Sequence, residues 1–340
     1  CYDREIWICF VNRSMEKTFD NIEYIALSGG VGGAKLALGL SKILAPSSLS
    51  IVANTADDFK HMGLNISPDL DTIMYTLANL NNPRLGWGQT KETWEFLGAL
   101  GRLGEETWFK IGDRDLATHI VRTMGLNKGL MLSQVTKELC SSLGVTHHLI
   151  PMTNDTVATV VRTNSGQNMP FQQYFVRERC NPKVIGFEFQ GIKTAALSPD
   201  FLKSLKSPKL RLIIICPSNP YVSVDPILNM TGVIDIIATR RIPVVAISPI
   251  IGGQALKGPA AKMMEELGDP PSAIGVAKHY RALYRDMLTG FIIDEKDRIL
   301  ESDLTKMGLL TTVTNTVMLT LQDRINLAQE VLRLGSRLNT

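Results

Sequence analysis

The sequence lacks the features that would set it apart from an ordinary globular domain. It has no apolar run near the roughly 20 residues that a membrane-spanning helix needs, and residues 1–14 lack the hydrophobic stretch of a signal peptide. The formal net charge of +3 is too small and too dispersed for a nucleic-acid-binding protein. We therefore expect a cytoplasmic protein that binds small molecules, without a membrane or nucleic-acid partner.

Cysteine is also scarce, and its spacing excludes a zinc site. The chain has 340 residues and five cysteines, with no CxxC pair. Thiols in this arrangement are typical of unpaired cysteines in a reducing cytosol. A chain of this length that is 44% hydrophobic can form a core without a disulfide or a structural metal.

Short apolar runs that end in Gly, Ser, Pro or Asn predict the strands of a parallel sheet. Tyr24–Ser28 is such a run, and a glycine-rich turn and a helical pattern follow it before the next run at Leu49–Ala53. Further strands are predicted at 148–152, 158–162, 187–195, 212–216, 244–248 and 291–294. We expect an α/β fold with a mostly parallel sheet and helices on both faces, in a single domain over 24–335 with a helical insertion near 60–140.

The turn after the first strand has the composition of a phosphate-binding loop. Gly29, Gly30, Gly32 and Gly33 precede or open a helix that also carries Lys35. Glycine lets a phosphate approach the main chain, and a helix N-terminus supplies unpaired N–H donors. The loop matches neither the P-loop nor the full dinucleotide fingerprint. A tight turn without a ligand is the alternative.

Two later loops, at 216–225 and 248–259, also follow buried strands. Open parallel sheets bind ligands beyond the carboxyl ends of their strands, so these loops are expected to meet the glycine loop. A solvated side chain is the alternative for the lysine among them. The candidate contacts are Ser218 and Asn219 for a base or sugar, and Gly252, Gly253 and Lys257 for phosphates.

Two pairs of carboxylates lie close to the glycine loop in the predicted fold. Asp57 and Asp58 follow the second strand, and Asp69 and Asp71 follow soon after. Carboxylates at such a position are usual ligands for Mg²⁺, which bridges phosphate oxygens. A solvated turn is the alternative for the first pair, and helix capping is the alternative for the second.

The stretch from Lys110 to His119 has a second group of charged residues. Asp113, Arg114 and Asp115 are interpreted as a structural ion-pair group, and His119 as a packed histidine. Lys110 is a candidate contact to a polar ligand.

Together these motifs resemble the CofD family of 2-phospholactate transferases, including its bacterial phosphoenolpyruvate-using members. The resemblance covers about residues 24–335, with the motifs in family order. Any one motif is weak, and the set is specific. The motifs are GGVGGAKL at 29–36, NTADDF at 54–59, PDLDTIMYTL at 68–77, GWG at 86–88, GDRDLATHIVR at 112–122, PSNP at 217–220 and SPIIGGQALKGPAAKMM at 248–264.

The resemblance implies a Rossmann-like fold, usually a homodimer, and a phosphotransferase that acts on substituted phosphate groups. The donor would be the guanosine diphosphate ester of 2-phospholactate, phosphoenolpyruvate or 3-phosphoglycerate. The acceptor would be the deazaflavin FO (7,8-didemethyl-8-hydroxy-5-deazariboflavin). The products would be GMP and a precursor of coenzyme F-420. The cofactor would be Mg²⁺.

The resemblance also assigns residues. It implies deazaflavin contacts at Asp71 and Lys110, and nucleotide-binding loops at 29–35, 248–258 and 217–220, the last of which contains Ser218, Asn219 and Pro220. We interpret Asp58 and Asp71 as the catalytic pair and the Mg²⁺ ligands. Whether Asp71 ligates the metal or orients the attacking hydroxyl stays open.

Two other functions fit parts of the sequence. Sugar-nucleotide-binding regulators of the same fold share the glycine loop and an acidic loop, but a Gly/Ser-rich segment typically follows their acidic pair, and here Phe59-Lys-His-Met-Gly63 follows. A nicotinamide dehydrogenase is disfavoured because the dinucleotide fingerprint is incomplete.

Residues 1–23 are interpreted as an extension outside the domain, because the chain begins with Cys1 and no motif precedes Tyr24. We expect deletion of residues 1–14 to leave folding and activity intact. Thermal unfolding of the shortened and full chains tests this. A drop in Tm of more than about 10 °C, equivalent to a few kcal/mol in a domain this large, would contradict the interpretation.

Overall fold

The computed structural model describes residues 19–339. The predicted dispensability of residues 1–14 therefore concerns residues outside the described part and stays a prediction. The rest of the predicted extension overlaps the core, because Phe19 and Ile22 are buried within it. The Ser207 hydroxyl also donates to the Ile22 carbonyl at 2.7 Å. The folded domain thus begins no later than Phe19.

Seven of the strands form one parallel sheet. The described strands are β1 (Tyr24–Ser28), β2 (Leu49–Ala53), β3 (Phe59–His61), β4 (Leu64–Ile66), β5 (His148–Pro151), β6 (Ala158–Thr163), β7 (Asn168–Pro170), β8 (Val184–Gln190), β9 (Leu212–Ile215), β10 (Val244–Ile247), β11 (Ile250–Ile251), β12 (Gln254–Ala255), β13 (Gly290–Asp294) and β14 (Leu310–Thr314). The sheet order is β14-β13-β10-β9-β1-β2-β5, with every neighbouring pair parallel. The predicted parallel sheet is confirmed.

Helices cover both faces of this sheet. They are α1 (Val31–Ile43), α2 (Pro68–Leu77), α3 (Glu95–Arg102), α4 (Asp113–Asn127), α5 (Leu132–Ser142), α6 (Pro199–Lys206), α7 (Asp225–Leu228), α8 (Val233–Arg240), α9 (Ala260–Leu267), α10 (Ala273–Tyr284), α11 (Glu301–Lys306) and α12 (Leu321–Leu338). Helices α2 to α5 and the β3–β4 hairpin lie between β2 and β5, in the interval where a helical insertion was predicted. Within residues 19–339, no single helix is long and apolar enough to cross a membrane, although Pro220–Leu228 and Val233–Arg240, bent by 71°, meet that criterion as a pair.

The continuous apolar runs arise because each central strand is buried on two sides. In β9, Ile213 and Ile215 pack into the core on one face, while Leu212 and Ile214 pack into the core on the other. Successive side chains of a strand alternate between faces, so a doubly covered strand is apolar at every position. This is the pattern from which the strands were predicted.

Some strands belong elsewhere or were not predicted. The segments predicted at 158–162 and 187–195 correspond to β6 and β8, which pair with each other in a separate antiparallel sheet of order β7-β6-β8, and β8 begins at Val184. The β3–β4 hairpin and the edge strand β14 were not predicted. Both are short or rich in Thr and polar residues, so they lack the apolar runs that mark the central strands.

The strand order reverses beside β1. The chain passes from β1 to β2 on one side and later returns to place β9 on the other. The helices that follow β1 and β9 therefore pack on opposite faces of the sheet, which opens a crevice beyond the carboxyl ends of these strands. The fold thus sets a ligand site where the glycine loop lies.

The close crossing of α1 and α12 generates a stability prediction. A Cβ atom on Gly39 of α1 would lie 2.1 Å from the carbonyl oxygen of Arg324 in α12. Gly39→Ala should therefore lower the free energy of unfolding by roughly 1–3 kcal/mol, the usual cost of overpacking. Gly98→Ala in α3 is the control, because its Cβ would come no nearer than 3.8 Å to a flexible Arg102 atom. It should be neutral or stabilising by up to about 1 kcal/mol. Equal effects of the two substitutions in urea unfolding would contradict the crossing.

Candidate active site

A cavity of about 780 Å³ lies over the carboxyl ends of the parallel strands. Its walls come from the loops after β1, β2, β9 and β10, from α2 and α4, and from the segment between β7 and β8. The volume falls within the usual range for small-molecule sites. The three loops that the sequence singled out do converge here.

The glycine loop forms one wall of the cavity, but only part of it faces the space. Gly30, Gly32 and Lys35 line the cavity, whereas Gly29 and Gly33 do not. The main chain therefore exposes the start of α1 to a ligand, as a phosphate-binding helix N-terminus requires.

Close packing of loops gives a second reason for these glycines. A Cβ on Gly32 would lie 2.2 Å from the Pro217 carbonyl oxygen, and one on Gly33 would lie 2.6 Å from the Ser218 hydroxyl. The loops after β1 and β9 can touch only because these positions lack side chains. The Gly29 amide completes the contact by donating to the Ser218 hydroxyl at 3.0 Å.

The loop after β9 holds its polar side chains by internal hydrogen bonds. The Asn219 side-chain oxygen accepts from the Tyr221 amide at 3.0 Å and from the Val222 amide at 3.4 Å. Ser218 and Asn219 line the cavity, whereas the buried Pro220 does not. Two of the three predicted residues are thus available to a ligand.

Two lysines line the cavity and are bound to main-chain carbonyls. The Lys35 ammonium donates to the Met318 carbonyl at 3.1 Å, and the Lys257 ammonium donates to the carbonyls of Arg84 at 3.3 Å and Leu85 at 3.1 Å. Burial, with the nearby Arg324 and Lys257 charges, lowers the pKa of Lys35. Both lysines are placed to meet an anionic ligand.

Gly252 and Gly253 have a different role from the predicted phosphate contact. Neither lines the cavity. They form the turn of the β11–β12 hairpin, with φ of +57° and +79°, which suits a two-residue turn with two left-handed positions. The Gly252 amide donates to both carboxylate oxygens of Asp297 at 3.1 Å. Their glycine identity follows from the turn.

The acidic residues form one buried group below the glycine loop. Asp57, Asp69 and Asp71 line the cavity, and Asp58 does not. The Asp58 carboxylate instead accepts from the Ser67 hydroxyl at 2.6 Å. The alternative of helix capping for the second pair is not realised, because α2 begins at Pro68 with Ser67 at its N-cap and no side-chain capping bond.

Burial and mutual repulsion disfavour ionisation in the first half of this group. Burial raises the pKa of Asp57 well above its usual range, and the neighbouring Asp69 and Asp58 carboxyls raise it further. Burial likewise raises the pKa of Asp58 well above its usual range, and raises that of Asp69 to about 6 despite a hydrogen bond from Asn54. One oxygen of Asp57 and one of Asp58 are buried without a hydrogen-bond partner among the described residues.

The second half of the group is compensated by cationic and polar side chains. Arg122 binds both carboxylate oxygens of Asp71, one of them at 3.0 Å. His119 lies between Asp71 and Asp115, with ring nitrogens 3.6 Å and 3.3 Å from their oxygens. The Tyr75 hydroxyl donates to Asp115 at 2.7 Å. The negative charge of Asp71 is therefore balanced by Arg122 within a buried network of polar side chains.

The predicted ion-pair group in α4 is not formed as expected. Asp113 accepts from the Thr93 hydroxyl at 2.6 Å and from the amides of Glu95 and Phe96 at the start of α3. Asp115 instead points inward to Tyr75 and His119. Burial alone would raise the pKa of Asp115, but its interactions with these two partners outweigh burial and lower it.

Sequence reasoning missed Arg122 and the aromatic wall. Asp115, His119 and Arg122 recur at helical spacing on one face of α4, a signal that could have joined them. The aromatic wall has no common sequence period, because it is assembled from three separate segments, and only Phe171 and Phe175 share a helical spacing. It consists of Trp87, Trp108, Phe109, Phe171 and Phe175. The exposed Lys110 follows Phe109 and also lines the cavity.

The chain is similar to known proteins in sequence and in fold. Residues 24–322 match the family model described as 2-phospho-L-lactate transferase CofD. The 2-phospho-L-lactate transferase of Methanosarcina mazei is 36% identical over 309 residues, covering 91% of this chain and 99% of that protein. The phosphoenolpyruvate transferase of Streptomyces coelicolor is 36% identical over 317 residues, covering 92% and 97%.

A solved structure of a UPF0052 family protein from Bacillus halodurans shares the fold. It aligns with a TM-score of 0.62 at 14% identity, covering 92% of this chain and 99% of that one. At this identity the likeness concerns the fold.

The raised pKa of Asp57 generates a prediction about stability and pH. A carboxyl whose pKa is higher in the folded state stabilises the fold at low pH, and this contribution is lost as pH rises from about 4, the unfolded value, through the folded value. Asp57→Asn removes the ionisation. Without divalent cations, it should raise Tm at pH 8 by at least about 2 °C, the shift that roughly 1 kcal/mol gives in a large domain. The gain should shrink toward pH 4.

Differential scanning calorimetry of both proteins in EDTA measures this difference. Asp235→Asn, at an exposed position of α8 that does not line the cavity, is the control for the substitution and should leave Tm close to that of the parent. A variant at position 57 that is less stable than the parent at pH 8 would contradict the assigned cost of the buried charge.

Proposed function

The chain belongs to the CofD family of transferases of coenzyme F-420 biosynthesis, and from this premise we propose that it transfers a phosphorylated three-carbon acid to FO. The donor in this proposal is the guanosine diphosphate ester of 2-phospholactate, phosphoenolpyruvate or 3-phosphoglycerate, and GMP is released. The observation that carries the proposal is a single cavity that combines a glycine-rich helix N-terminus, buried carboxylates and an aromatic wall. The compartment proposed is the cytosol, and the assembly proposed is a homodimer.

The donor is proposed to bind along the loops after β1 and β9. The exposed N-terminus of α1 supports binding of the diphosphate, because its amides and dipole favour anions. Lys35 and Lys257 add positive charge on the same side. Ser218 and Asn219 offer polar atoms for the nucleoside. These features suit a nucleoside diphosphate ester better than a dinucleotide.

Mg²⁺ is the proposed cofactor, and the buried carboxylates fit it. The Asp57 oxygen without a partner is a hard oxygen donor that lies in the cavity wall, and Asp69 lies beside it. Both would hold the ion. The two ligands predicted from the sequence are less suitable. Asp58 does not line the cavity, and both carboxylate oxygens of Asp71 are bound by Arg122. When bound, the ion supplies neutralisation of phosphate charge.

The acceptor is proposed to lie against the aromatic wall. Planar rings such as a deazaflavin gain from stacking on aromatic side chains, and Trp87 and Phe175 are partly exposed there. Lys110 would contact the polar edge of the ring. Asp71 would accept a hydrogen bond from the ribityl chain.

The reaction forms one P–O bond and breaks another. The terminal ribityl oxygen of FO attacks the β-phosphorus, the bond from that phosphorus to the bridging oxygen breaks, and GMP leaves with the electron pair. The hydroxyl proton passes to solvent. Such transfer asks mainly for positioning and charge stabilisation. The main-chain amides of the glycine loop hold the phosphates, and Asp71 orients the hydroxyl.

A regulator that binds a sugar nucleotide without turnover is the second candidate, because it shares the fold. Sequence context favours the transferase. A regulator would be stabilised by its ligand but would release no GMP on addition of FO.

We expect FO-dependent release of GMP from one of the three donor esters. The assay is mass spectrometry of the product formed from FO with each donor, with and without EDTA. GDP should also raise Tm more than ADP, since a ligand at a hundredfold excess over Kd stabilises by about 2.7 kcal/mol. Reactions without FO are the control. No GMP from any donor, together with protection by a sugar nucleotide, would favour the regulator.

A further inference from the structure

The buried carboxylates fall into two sets that differ in what balances their charge. Asp57 and Asp69 line the cavity and have no cationic side chain bound to them among the described residues. Asp71 has Arg122 on both its oxygens. The two sets lie within one cavity, and a cation that balances the first set is not supplied by the described residues.

Arg122 and Asp71 form a buried ion pair. Its side chain is 1% exposed and that of Asp71 is 6% exposed. One guanidinium nitrogen lies 3.0 Å from Asp71 and 3.3 Å from the His119 Nδ1 atom. A guanidinium fork fixes the plane of a carboxylate, because its donors match both oxygens. Asp71 is therefore held in one orientation, with its remaining lone pairs available at the cavity wall.

The same contacts argue against a metal ion bound by Asp71, Asp115 and His119. Ligand atoms of Asp71, Asp115 and His119 lie within 4.8 Å of one another, as a metal site requires. However, Arg122 binds Asp71 and contacts His119, and Tyr75 donates to Asp115. A divalent ion there would displace a buried guanidinium or lie against it, and like charges at that separation repel.

We propose that Arg122 is a positioning residue that reserves Asp71 for the hydroxyl of the acceptor and keeps it out of the coordination of the divalent cation. This rests on the proposed transferase function. The cation lies on Asp57 and Asp69, and Arg122 acts on the reaction through Asp71. Lysine cannot replace it, because a point charge does not fix the carboxylate plane.

The first measurement is cation binding, which needs no turnover. Mn²⁺ is titrated into the full chain with saturating GDP, and free Mn²⁺ is counted by electron paramagnetic resonance. Asp57→Asn should weaken Mn²⁺ binding by at least about tenfold, as loss of a ligand does. Asp71→Asn and Arg122→Lys should leave the Kd within about twofold of the parent, since neither removes a ligand.

The second measurement is steady-state kinetics. Arg122→Lys should lower kcat/KM for FO by about ten- to a hundredfold, the cost of a small misplacement of a reacting group, and leave KM for the donor unchanged. Arg114→Lys is the matched control, because Arg114 is an exposed residue of the same helix that does not line the cavity. It should match the parent. Circular dichroism and Tm establish that each variant is folded at the assay temperature.

The outcomes separate the possibilities. Mn²⁺ binding weakened tenfold or more by Asp71→Asn makes Asp71 a metal ligand and overturns the proposal, as does a parent chain that binds no Mn²⁺ at millimolar concentration. An equal loss for FO and donor in Arg122→Lys assigns Arg122 a structural role and also overturns it. If the parent chain releases no GMP, the proposed function fails, while the Mn²⁺ titration still decides how the carboxylates are divided.

Discussion

The cost of burying carboxylates side by side governs the active-site end of this molecule. Several acidic side chains lie below one glycine loop, and an isolated buried charge is too expensive to persist without a partner. Arg122 balances one side of the group, and the raised pKa values of Asp57 and Asp69 mark the side to which no cationic side chain of the described residues is bound. The carboxylates on the unbalanced side therefore retain an affinity for cations that no cationic side chain of the described residues satisfies.

The rest of the site depends on how close the strand-end loops can come to those carboxylates. Asp69 accepts a hydrogen bond from Asn54 after β2 and lies against Gly30 after β1. A side chain at Gly30 would meet the Asp69 carboxylate at 2.8 Å. The glycine loop thus brings a helix N-terminus and the acidic group together, so that positive main-chain ends and negative side chains border one space. A diphosphate and its counter-ion need both.

The sequence predicts the frame of this structure better than its contacts. Buried parallel strands reveal themselves as continuous apolar runs, so β1, β2, β9 and β10 and the loops after them were predictable, and with them the position of the cavity. What could not be predicted depends on side-chain partners from distant segments, such as Arg122 on Asp71. The position of Gly252 in a hairpin turn could not be predicted either, because a single sequence does not distinguish a phosphate-binding glycine from a glycine in a hairpin turn.

The crossing of α1 and α12 also sets the order in which the chain can complete itself during synthesis. Helix α12 buries Leu327, Ala328 and Val331 in the core that α1 shares with the sheet. The parts of β10, β13 and β14 that α12 covers therefore stay exposed on the ribosome until the last described helix has been made. Nascent chains consequently expose core side chains such as Val245 and Ile292 until the end of α12 has left the ribosome, and a chaperone that shields apolar surfaces would act at this late stage.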